Sequence, residues 1–235
     1  MYKTIKFTVE QSANVFAISD LHIGHCRPFI FANRGFSSVE EHDETLISRW
    51  NETCNHDSTI INCGDVVFSD PDGSKFINLM RRLNFRKHYI LIGNHTSGQK
   101  QCYAKTLKEQ FPNAVADDGR FNYEVYPLEM AVDGNIAKTV VFLPEYAEFM
   151  VGKHSFVACH YPIISHNQQS HKSTLLVGHS HGSCAITNKN TGKGFRLDVG
   201  VESFGRPISL ADIRAFFAAN NRDIDSVDHH NAQTT

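Results

Sequence analysis

Short apolar runs alternate with helical patterns along the first half of the chain. Four runs have the character of strands, the first alternating and the others buried: 3–9, 15–19, 58–62 and 88–92. Helical patterns cover 73–83 and 98–111, and a capping box at Ser37 and Glu40 predicts the start of another helix. The apolar stripe of that helix would carry Val39, Leu46, Ile47 and Trp50. The order β-α-β-α-β predicts a largely parallel sheet with helices on its faces.

The second half of the chain favours paired strands. Two hairpins are predicted because turn residues separate the members of two strand pairs: 123–132 with 136–143, and 145–151 with 154–159. Shorter strands follow at 175–178, 185–187 and 195–199, and a last helix begins at Ser209. The whole pattern predicts an α/β fold, a four-layer α/β/β/α sandwich of two mixed sheets flanked by helices. One domain would cover 1–220, followed by a polar tail at 221–235.

Composition limits the classes of partner. The chain has 235 residues, 41% of them apolar, and a formal net charge of −2, which are ordinary values for one globular domain. The lack of a basic excess argues against extended duplex binding, though not against a small phosphorylated substrate. Six scattered cysteines with no close pair, no signal pattern and no membrane-spanning apolar stretch predict a reduced, cytoplasmic protein without a membrane partner. No protein partner is indicated.

Polar residues that can bind metals follow five of the predicted strands. The chain has fourteen histidines, an unusually high number. The strand-end motifs are Asp20-Leu21-His22, Gly64-Asp65, Gly93-Asn94-His95, a single His160, and Gly178-His179-Ser180-His181. In open α/β sheets the carboxyl edge of the strands is where ligands bind. Five strands that deliver Asp, His and Asn to one edge are hard to explain by packing alone.

The chemistry that suits this set of residues is transition-metal binding. Carboxylate oxygen and neutral imidazole suit Mn²⁺, Fe, Ni²⁺ or Zn²⁺, whereas Ca²⁺ and Mg²⁺ prefer nearly all-oxygen sites. Asp20 and His22 are two residues apart, so on an extended segment both would point to one side, and His179 and His181 repeat the spacing. Seven ligands are too many for one tetrahedral ion but fit two ions that share a bridge.

The ordered set D-x-H, G-D, G-N-H, a single His and G-H-x-H resembles the calcineurin-like metallophosphoesterase superfamily. The match spans Asp20 to His181, most of the chain. More narrowly, 18–25, followed by 33–38 and a helix that ends in Arg49-Trp50-Asn51, is similar to small bacterial and bacteriophage members. Each dipeptide alone is a weak signal, and the order of the whole set carries the resemblance.

The resemblance implies a role for each residue. Asp20, His22 and His181 would hold one divalent ion, Asn94, His160 and His179 a second, and Asp65 would bridge them. A hydroxide between the two ions would attack phosphorus in line, with Mn²⁺ the first expectation and Fe, Ni²⁺ or Zn²⁺ as alternatives. His95 would act near the leaving oxygen, as a general acid or as a transition-state donor. The expected substrate is a phosphomonoester or phosphodiester, preferably of a nucleotide or a nucleic-acid end.

Two departures from the superfamily pattern concern His95. Thr96 follows it, where an Asp or Glu is frequent, and Phe68 stands where protein phosphatases have the Asp that orients the catalytic His. His95 thus lacks its usual carboxylate partner, and a Ser/Thr protein phosphatase is disfavoured. A DNA exonuclease is disfavoured by the neutral charge, and a non-catalytic scaffold by the complete set of ligands.

Other polar residues near the first motif have two interpretations each. Arg27 and Arg34 flank the loop after this motif, where a guanidinium could clamp a phosphate. Equally, these arginines could pair with Glu40 or Glu41 on the surface. His25 either points into the site or belongs to a solvated loop.

Overall fold

Two mixed β-sheets form the centre of the molecule in this computed structural model, which describes residues 4–95, 99–110, 116–117, 123–130, 136–183 and 195–219. The strands are β1 (Thr4–Phe7), β2 (Val15–Ile18), β3 (Thr59–Asn62), β4 (Lys87–Ile90), β5 (Ala116–Asp117), β6 (Glu124–Met130), β7 (Ile136–Phe142), β8 (Tyr146–Val151), β9 (His154–Cys159), β10 (Thr174–Val177), β11 (Phe195–Asp198) and β12 (Ile208–Ser209). The helices are α1 (Pro28–Phe31), α2 (Val39–Thr53), α3 (Ser74–Arg82), α4 (Lys100–Gln110), α5 (Val201–Phe204) and α6 (Leu210–Ala219). Among these helices, none has the length and apolarity that a bilayer crossing requires.

The larger sheet has seven strands in the order β12-β2-β3-β4-β7-β6-β5. Its central strands β2, β3, β4 and β7 are parallel to one another, and β12, β6 and β5 each run antiparallel to a neighbour. The β-α-β-α-β prediction for the first half is therefore confirmed. The smaller sheet has the order β1-β8-β9-β10-β11, in which only the β8–β9 pair is antiparallel. Both predicted hairpins, β6–β7 and β8–β9, are confirmed.

Each central strand is buried on both faces, which is typical of a parallel sheet that is covered on both sides. Ala17 and Ile61 face the smaller sheet and share a cluster with Phe149 and Phe156, so the two sheets pack face to face. The alternate positions of the larger sheet pack against α2, α3 and α4. On the outer face of the smaller sheet, Val157, Cys159, Leu175 and Val177 contact Tyr146 and Ile163. The fold of two mixed sheets with flanking helices is thus the predicted one.

Local details refine some of the predicted boundaries. The N-cap of α2 is Ser38, whose side chain accepts a hydrogen bond from the Glu41 backbone, and the Glu41 carboxylate accepts one from the Ser37 backbone. The prediction of a box at Ser37 and Glu40 is therefore wrong by one residue. The helix starts later because Ser38 has extended backbone angles, as an N-cap requires. The predicted strand 185–187, the hairpin turn 133–135 and the tail 221–235 lie outside the described residues.

The carboxyl ends of the two sheets are joined by direct hydrogen bonds. The Ser19 backbone donates to the Val199 carbonyl over 3.0 Å, and the Val201 backbone donates to the Ser19 carbonyl over 3.2 Å. Across the same edge, His160 Nδ1 bonds the Cys63 carbonyl at 2.9 Å. Loops that follow β2, β3, β9 and β11 therefore meet at one place, although they come from different sheets.

A buried histidine makes the core sensitive to acid. His88 in β4 is fully buried beside Trp50 and Phe85, at ring distances of 5.4 and 5.2 Å. Neither ring nitrogen has a hydrogen-bond partner in the described part of the chain. Burial lowers the pKa of His88 to about 3, because a charged imidazole cannot be solvated there.

We expect His88 to make the free energy of unfolding depend on pH, and to do so only in acid. Between about pH 6.5 and 3 the unfolded chain binds a proton at His88 and the folded chain does not, so stability falls as the pH falls. Since each pH unit corresponds to about 1.4 kcal/mol, the stability of His88→Leu relative to the natural chain should rise by roughly that amount per unit below pH 6. Urea denaturation at pH 7.5, 6 and 5 measures it.

The matched control is His56→Leu, because His56 is exposed. Its stability relative to the natural chain should be nearly constant over the same range. A relative stability of His88→Leu that is equal at pH 7.5 and pH 5 would contradict the assignment.

Candidate metal centre

The predicted metal ligands and His95 all lie at the carboxyl edge of the two sheets. Asp20 and His22 follow β2, Asp65 follows β3, Asn94 and His95 follow β4, His160 follows β9, and His179 and His181 follow β10. The first three of these strands belong to the larger sheet and the last two to the smaller one. Because the sheet ends are joined there, residues that are up to 161 positions apart along the chain come together (181 − 20 = 161).

The first group of possible ligands is Asp20, His22 and His181. One ligand atom from each lies within 4.8 Å of the others. His22 Nε2 is 3.6 Å from Asp20 Oδ1, and the rings of His22 and His181 are stacked with centroids 5.0 Å apart. These are the three residues that the superfamily resemblance assigns to one ion.

The second group is centred on Asn94. Its side-chain oxygen lies 2.8 Å from His160 Nε2 and 3.0 Å from His179 Nδ1. His160 is fully buried, whereas Asn94 and His179 are exposed, so this group has an open side. The three residues that the sequence assigns to a second ion are therefore also neighbours.

Asp65 lies between the two groups. Its Oδ2 is 3.3 Å from His160 Nε2 and 3.9 Å from His22 Nε2, so the carboxylate contacts one histidine of each set. The other oxygen, Oδ1, accepts a hydrogen bond from the His95 backbone at 2.9 Å. Burial tends to raise the pKa of Asp65, but the surrounding His160, His22 and His95 amide outweigh it and lower the pKa. The carboxylate is thus held ionised between the two groups.

Buried polar atoms without partners test whether this site suits cations. Asp20 Oδ1 and both ring nitrogens of His22 have no hydrogen-bond partner within the described residues, and the two residues are 0% and 1% exposed. Such atoms are rare in folded proteins because each costs desolvation free energy. Burial lowers the pKa of His22 despite the nearby Asp20 and Asp65, which favours the neutral ring that can bind a metal. The donor set therefore fits divalent metal ions.

The backbone that presents these donors is left-handed. Five of the eight non-glycine residues with positive φ in the described chain belong to this set: Asp20, His22, Asp65, His179 and His181. The argument from an extended D-x-H segment is therefore wrong, although the two side chains do reach the same place. The cause is that the Asp20 and His22 amides donate to the Gly64 and Asp65 carbonyls, so the loop after β2 follows the loop after β3. Strain of this kind is concentrated at functional sites.

Two glycines are required by the close approach of neighbouring loops. A Cβ at Gly93 would collide with Asp65 Oδ1 and would lie 3.0 Å from the His160 ring. A Cβ at Gly178 would collide with the side chains of Ser19 and Asp20. The glycines of the G-N-H and G-H-x-H motifs thus leave room for the carboxylates of the preceding motifs.

Sequence reasoning missed Glu202, which holds the first group from behind. Glu202 Oε1 accepts hydrogen bonds from His181 Nδ1 at 2.6 Å and from Arg34 Nη2 at 2.6 Å. The bond to Glu202 raises the pKa of His181. Burial tends to raise the pKa of Glu202, but His181 and Arg34 together lower it to about 2. A carboxylate that binds one ring nitrogen orients the other toward a metal and makes the ring a stronger ligand.

Arg34 occupies a position that differs from both sequence interpretations. Its guanidinium also donates to the carbonyls of Asp20 at 2.8 Å and Leu21 at 3.0 Å, and it lies 2.7 Å from His42 Nε2. The side chain is 5% exposed, because these partners surround it. It therefore braces the donor loop instead of pairing with Glu40 or Glu41 on the surface or presenting its guanidinium to a phosphate. Arg27, by contrast, is exposed at the start of α1.

Asp198 is a second residue that the sequence reasoning missed. Its Oδ2 accepts from Ser180 Oγ at 2.7 Å and from the Gly182 backbone at 3.1 Å. It thereby fixes the loop that carries His179 and His181. The available signal was its place at the end of the predicted strand 195–199, at the same edge as the five motifs.

His95 is surrounded by rings. It lies 5.2 Å from His22 and 5.2 Å from Phe68, so Phe68 does occupy the space beside it. One His95 nitrogen also lies within 4.8 Å of ligand atoms of His22 and Asp65. His25 is 4% exposed and packs on Phe68 at 3.8 Å, which places it beside the site instead of in a solvated loop.

Comparison with known proteins identifies a family. A family model described as calcineurin-like phosphoesterase matches residues 13–233. A curated relative, Gene 66 protein of Mycobacterium phage L5, is 23% identical over 214 residues, which cover 86% of this chain and 92% of the phage protein.

Two further similarities are to proteins without an assigned function. The uncharacterized protein MJ1445 of Methanocaldococcus jannaschii is 35% identical over 81 residues, which are 34% of this chain and 46% of the archaeal protein. The chain thus matches less than half the length of that relative. Among solved structures, the protein of unknown function AQ665 from Aquifex aeolicus aligns with a TM-score of 0.55 and 17% identity, over 86% of this chain and 98% of that one. This last similarity shows the fold alone.

We expect Glu202→Gln to weaken metal binding at the first group, Asp20, His22 and His181, more than at the second. The amide oxygen has no negative charge, so its hydrogen bonds to Arg34 and to the His181 Nδ1–H are weaker and the His181 ring is oriented less firmly. Loss of such a partner lowers metal affinity by about 10- to 100-fold. Calorimetric titration with Mn²⁺ or Zn²⁺ measures the stoichiometry and both affinities.

The control is Glu40→Gln, a change of the same chemistry at an exposed position of α2. It should leave both affinities unchanged. Two sites of natural affinity in Glu202→Gln would show that Glu202 does not support His181.

Proposed function

This chain belongs to the calcineurin-like phosphoesterase family, and we propose that it hydrolyses a phosphate ester with two divalent metal ions bound at the strand-end donors. The observation that carries the proposal is the position of Asp65, whose carboxylate contacts His160 on one side and His22 on the other. Two ligand groups that meet at a shared carboxylate are what a pair of ions requires. Membership of the family indicates a metal-dependent hydrolase, and the binuclear state is our inference.

Each of the two donor groups would hold one ion. Asp20, His22 and His181 would hold the first, between the buried Asp20 and His22 and the more exposed His181. Asn94, His160 and His179 would hold the second, on the open side that a substrate can reach. When bound, such a pair of ions supplies an activated water nucleophile and neutralises the charge on the phosphoryl oxygens.

His95 would act on the leaving group. Its ring lies beside His22 and near Asp65, at the boundary between the donor groups and the surface. From there it can donate a proton or a hydrogen bond to the ester oxygen as the bond to phosphorus breaks. Its ring packs against Phe68 instead of a carboxylate, so its orientation depends on packing and on the Asp65 bond to its own backbone.

The substrate class, the identity of the metal and the location of the protein are further parts of the proposal. We propose a nucleotide or nucleic-acid phosphoester as substrate, Mn²⁺ as the first metal to test, and a cytoplasmic location. The five cysteines within the described residues are free thiols, which suits that location: Cys26, Cys54, Cys63, Cys102 and Cys159. Phe68 in the position of the orienting Asp disfavours a protein phosphatase.

We expect purified protein with Mn²⁺ to hydrolyse p-nitrophenyl phosphate or its bis ester, and Asp20→Asn to abolish turnover. Asparagine tolerates the left-handed backbone of Asp20, where φ is 57°, so the fold is kept while a buried metal ligand loses its charge. The preferred ester distinguishes a monoesterase from a diesterase. His56→Asn is the control at an exposed histidine. Bound metal without turnover of either ester would favour the non-catalytic scaffold.

We expect His95→Gln to lower kcat by about 10²- to 10⁴-fold while both ions stay bound, because a general acid is lost and no donor of the main groups is removed. Steady-state kinetics and metal analysis of the same preparation test this. A loss of one ion per chain would instead make His95 a ligand, which its distance from His22 and Asp65 allows.

A further inference from the structure

A continuous row of rings leads from the candidate site to the surface. Beginning at His95, the ring of Phe68 is 5.2 Å away, His25 is 3.8 Å beyond Phe68, and Phe29 is 5.3 Å beyond His25. His22 contacts the row from the metal side, 5.2 Å from His95 and 5.8 Å from His25. We call Phe68, His25 and Phe29 the aromatic row.

The outer end of the aromatic row, Phe29, is its most exposed part. His25 is buried, Phe68 is half-buried and Phe29 is 61% exposed. An isolated exposed phenylalanine needs no explanation. Phe29 differs because it is connected through ring contacts to the residue proposed to act on the leaving group. Its position is also fixed, because α1 begins with Pro28 and packs through the buried Ile30.

The chemistry of the row suits a flat, uncharged ring next to a phosphate. His25 Nδ1 accepts a hydrogen bond from the Arg27 amide at 3.3 Å, which occupies a polar atom of this ring. Its neighbours in the row are hydrocarbon rings, so the surface offers stacking and little hydrogen bonding. The exposed Arg27 lies two residues before Phe29 in the chain, so a positive charge is present near this end of the row.

We propose that the aromatic row binds the nucleobase of the leaving group when the substrate is a nucleoside phosphate ester. The inference rests on the proposed function and specifies its substrate class. With phosphorus at the metal pair and the ester oxygen at His95, a nucleoside that leaves on the His95 side extends over Phe68 toward Phe29. Stacking on an aromatic side chain accepts any base, so the row would select for a base without selecting which one.

The test compares substrates that differ only in the base. Adenosine 5′-monophosphate and ribose 5-phosphate release the same kind of primary alcohol, and a dinucleotide and its abasic analogue serve in the same way if the enzyme is a diesterase. We expect kcat/KM to be about tenfold higher with the base, from one stacking contact. Phe29→Ala should bring this ratio close to one, and Phe29→Trp should keep it.

Two further variants separate the aromatic row from other rings. Tyr161→Ala removes an exposed ring beside His179, at 4.8 Å, and Phe216→Ala removes an exposed ring on α6. Both should keep the preference for the base. An equal kcat/KM for the two substrates in the natural protein, or a ratio that falls in Tyr161→Ala and not in Phe29→Ala, overturns the proposal.

A binding measurement keeps this inference distinct from the hydrolytic function. Adenosine and ribose cannot be hydrolysed, and ligand-observed NMR on metal-loaded protein compares their affinities. Adenosine should bind about tenfold more tightly, and Phe29→Ala should remove the difference. Hydrolysis without a base preference would leave the proposed function standing and refute the row. A Phe29-dependent preference for adenosine without hydrolysis of any ester would support the aromatic row and refute the proposed function.

Discussion

The close approach of loops from two different sheets is the constraint on which the rest of the site depends. The Ser19 backbone bonds Val199 and Val201 across the sheet boundary, and Gly178 lies so near Asp20 that it has no room for a side chain. This proximity lets Asp65 contact histidines from both sheets. It also excludes water from Asp20 and His22, whose partnerless atoms then favour a bound cation. The need for glycine at position 178, the burial of Asp20 and His22, and their atoms without hydrogen-bond partners all follow from this close approach of the loops.

Much of the site could be predicted from the sequence because its motifs follow strands. The apolar run before Asp65 predicts β3, and the parallel order of β2, β3 and β4 brings Asp20, Asp65 and Asn94 to one edge without any knowledge of side-chain contacts. The direction in which each donor side chain points could not be predicted in this way. Asp20 and His22 share a side through left-handed backbone, and periodicity carries no information about that conformation, since it depends on hydrogen bonds to Gly64 and Asp65.

The support behind the donors could not be predicted for a related reason. Glu202 and Arg34 are 168 residues apart, and no spacing rule connects them. In its local sequence, Arg34 resembles a surface cation. Only the folded chain shows that its guanidinium donates to the carbonyls of Asp20 and Leu21. Burial of an arginine and a carboxylate together costs desolvation free energy that their mutual contacts offset. Here the pair also holds His181, so its value lies in geometry more than in stability.

The distribution of donors over both sheets has a consequence for the order of events during synthesis. The first ninety-five residues, when they leave the ribosome, already contain Asp20, His22, Asp65, Asn94 and His95. They lack His160, His179 and His181, so neither group of ligands is complete before the smaller sheet has been made and docked. Each of the two proposed ligand groups would therefore be complete only after both halves of the chain are in place. Binding of the proposed pair of ions would fasten the two halves together, and it would report that assembly of the domain is finished.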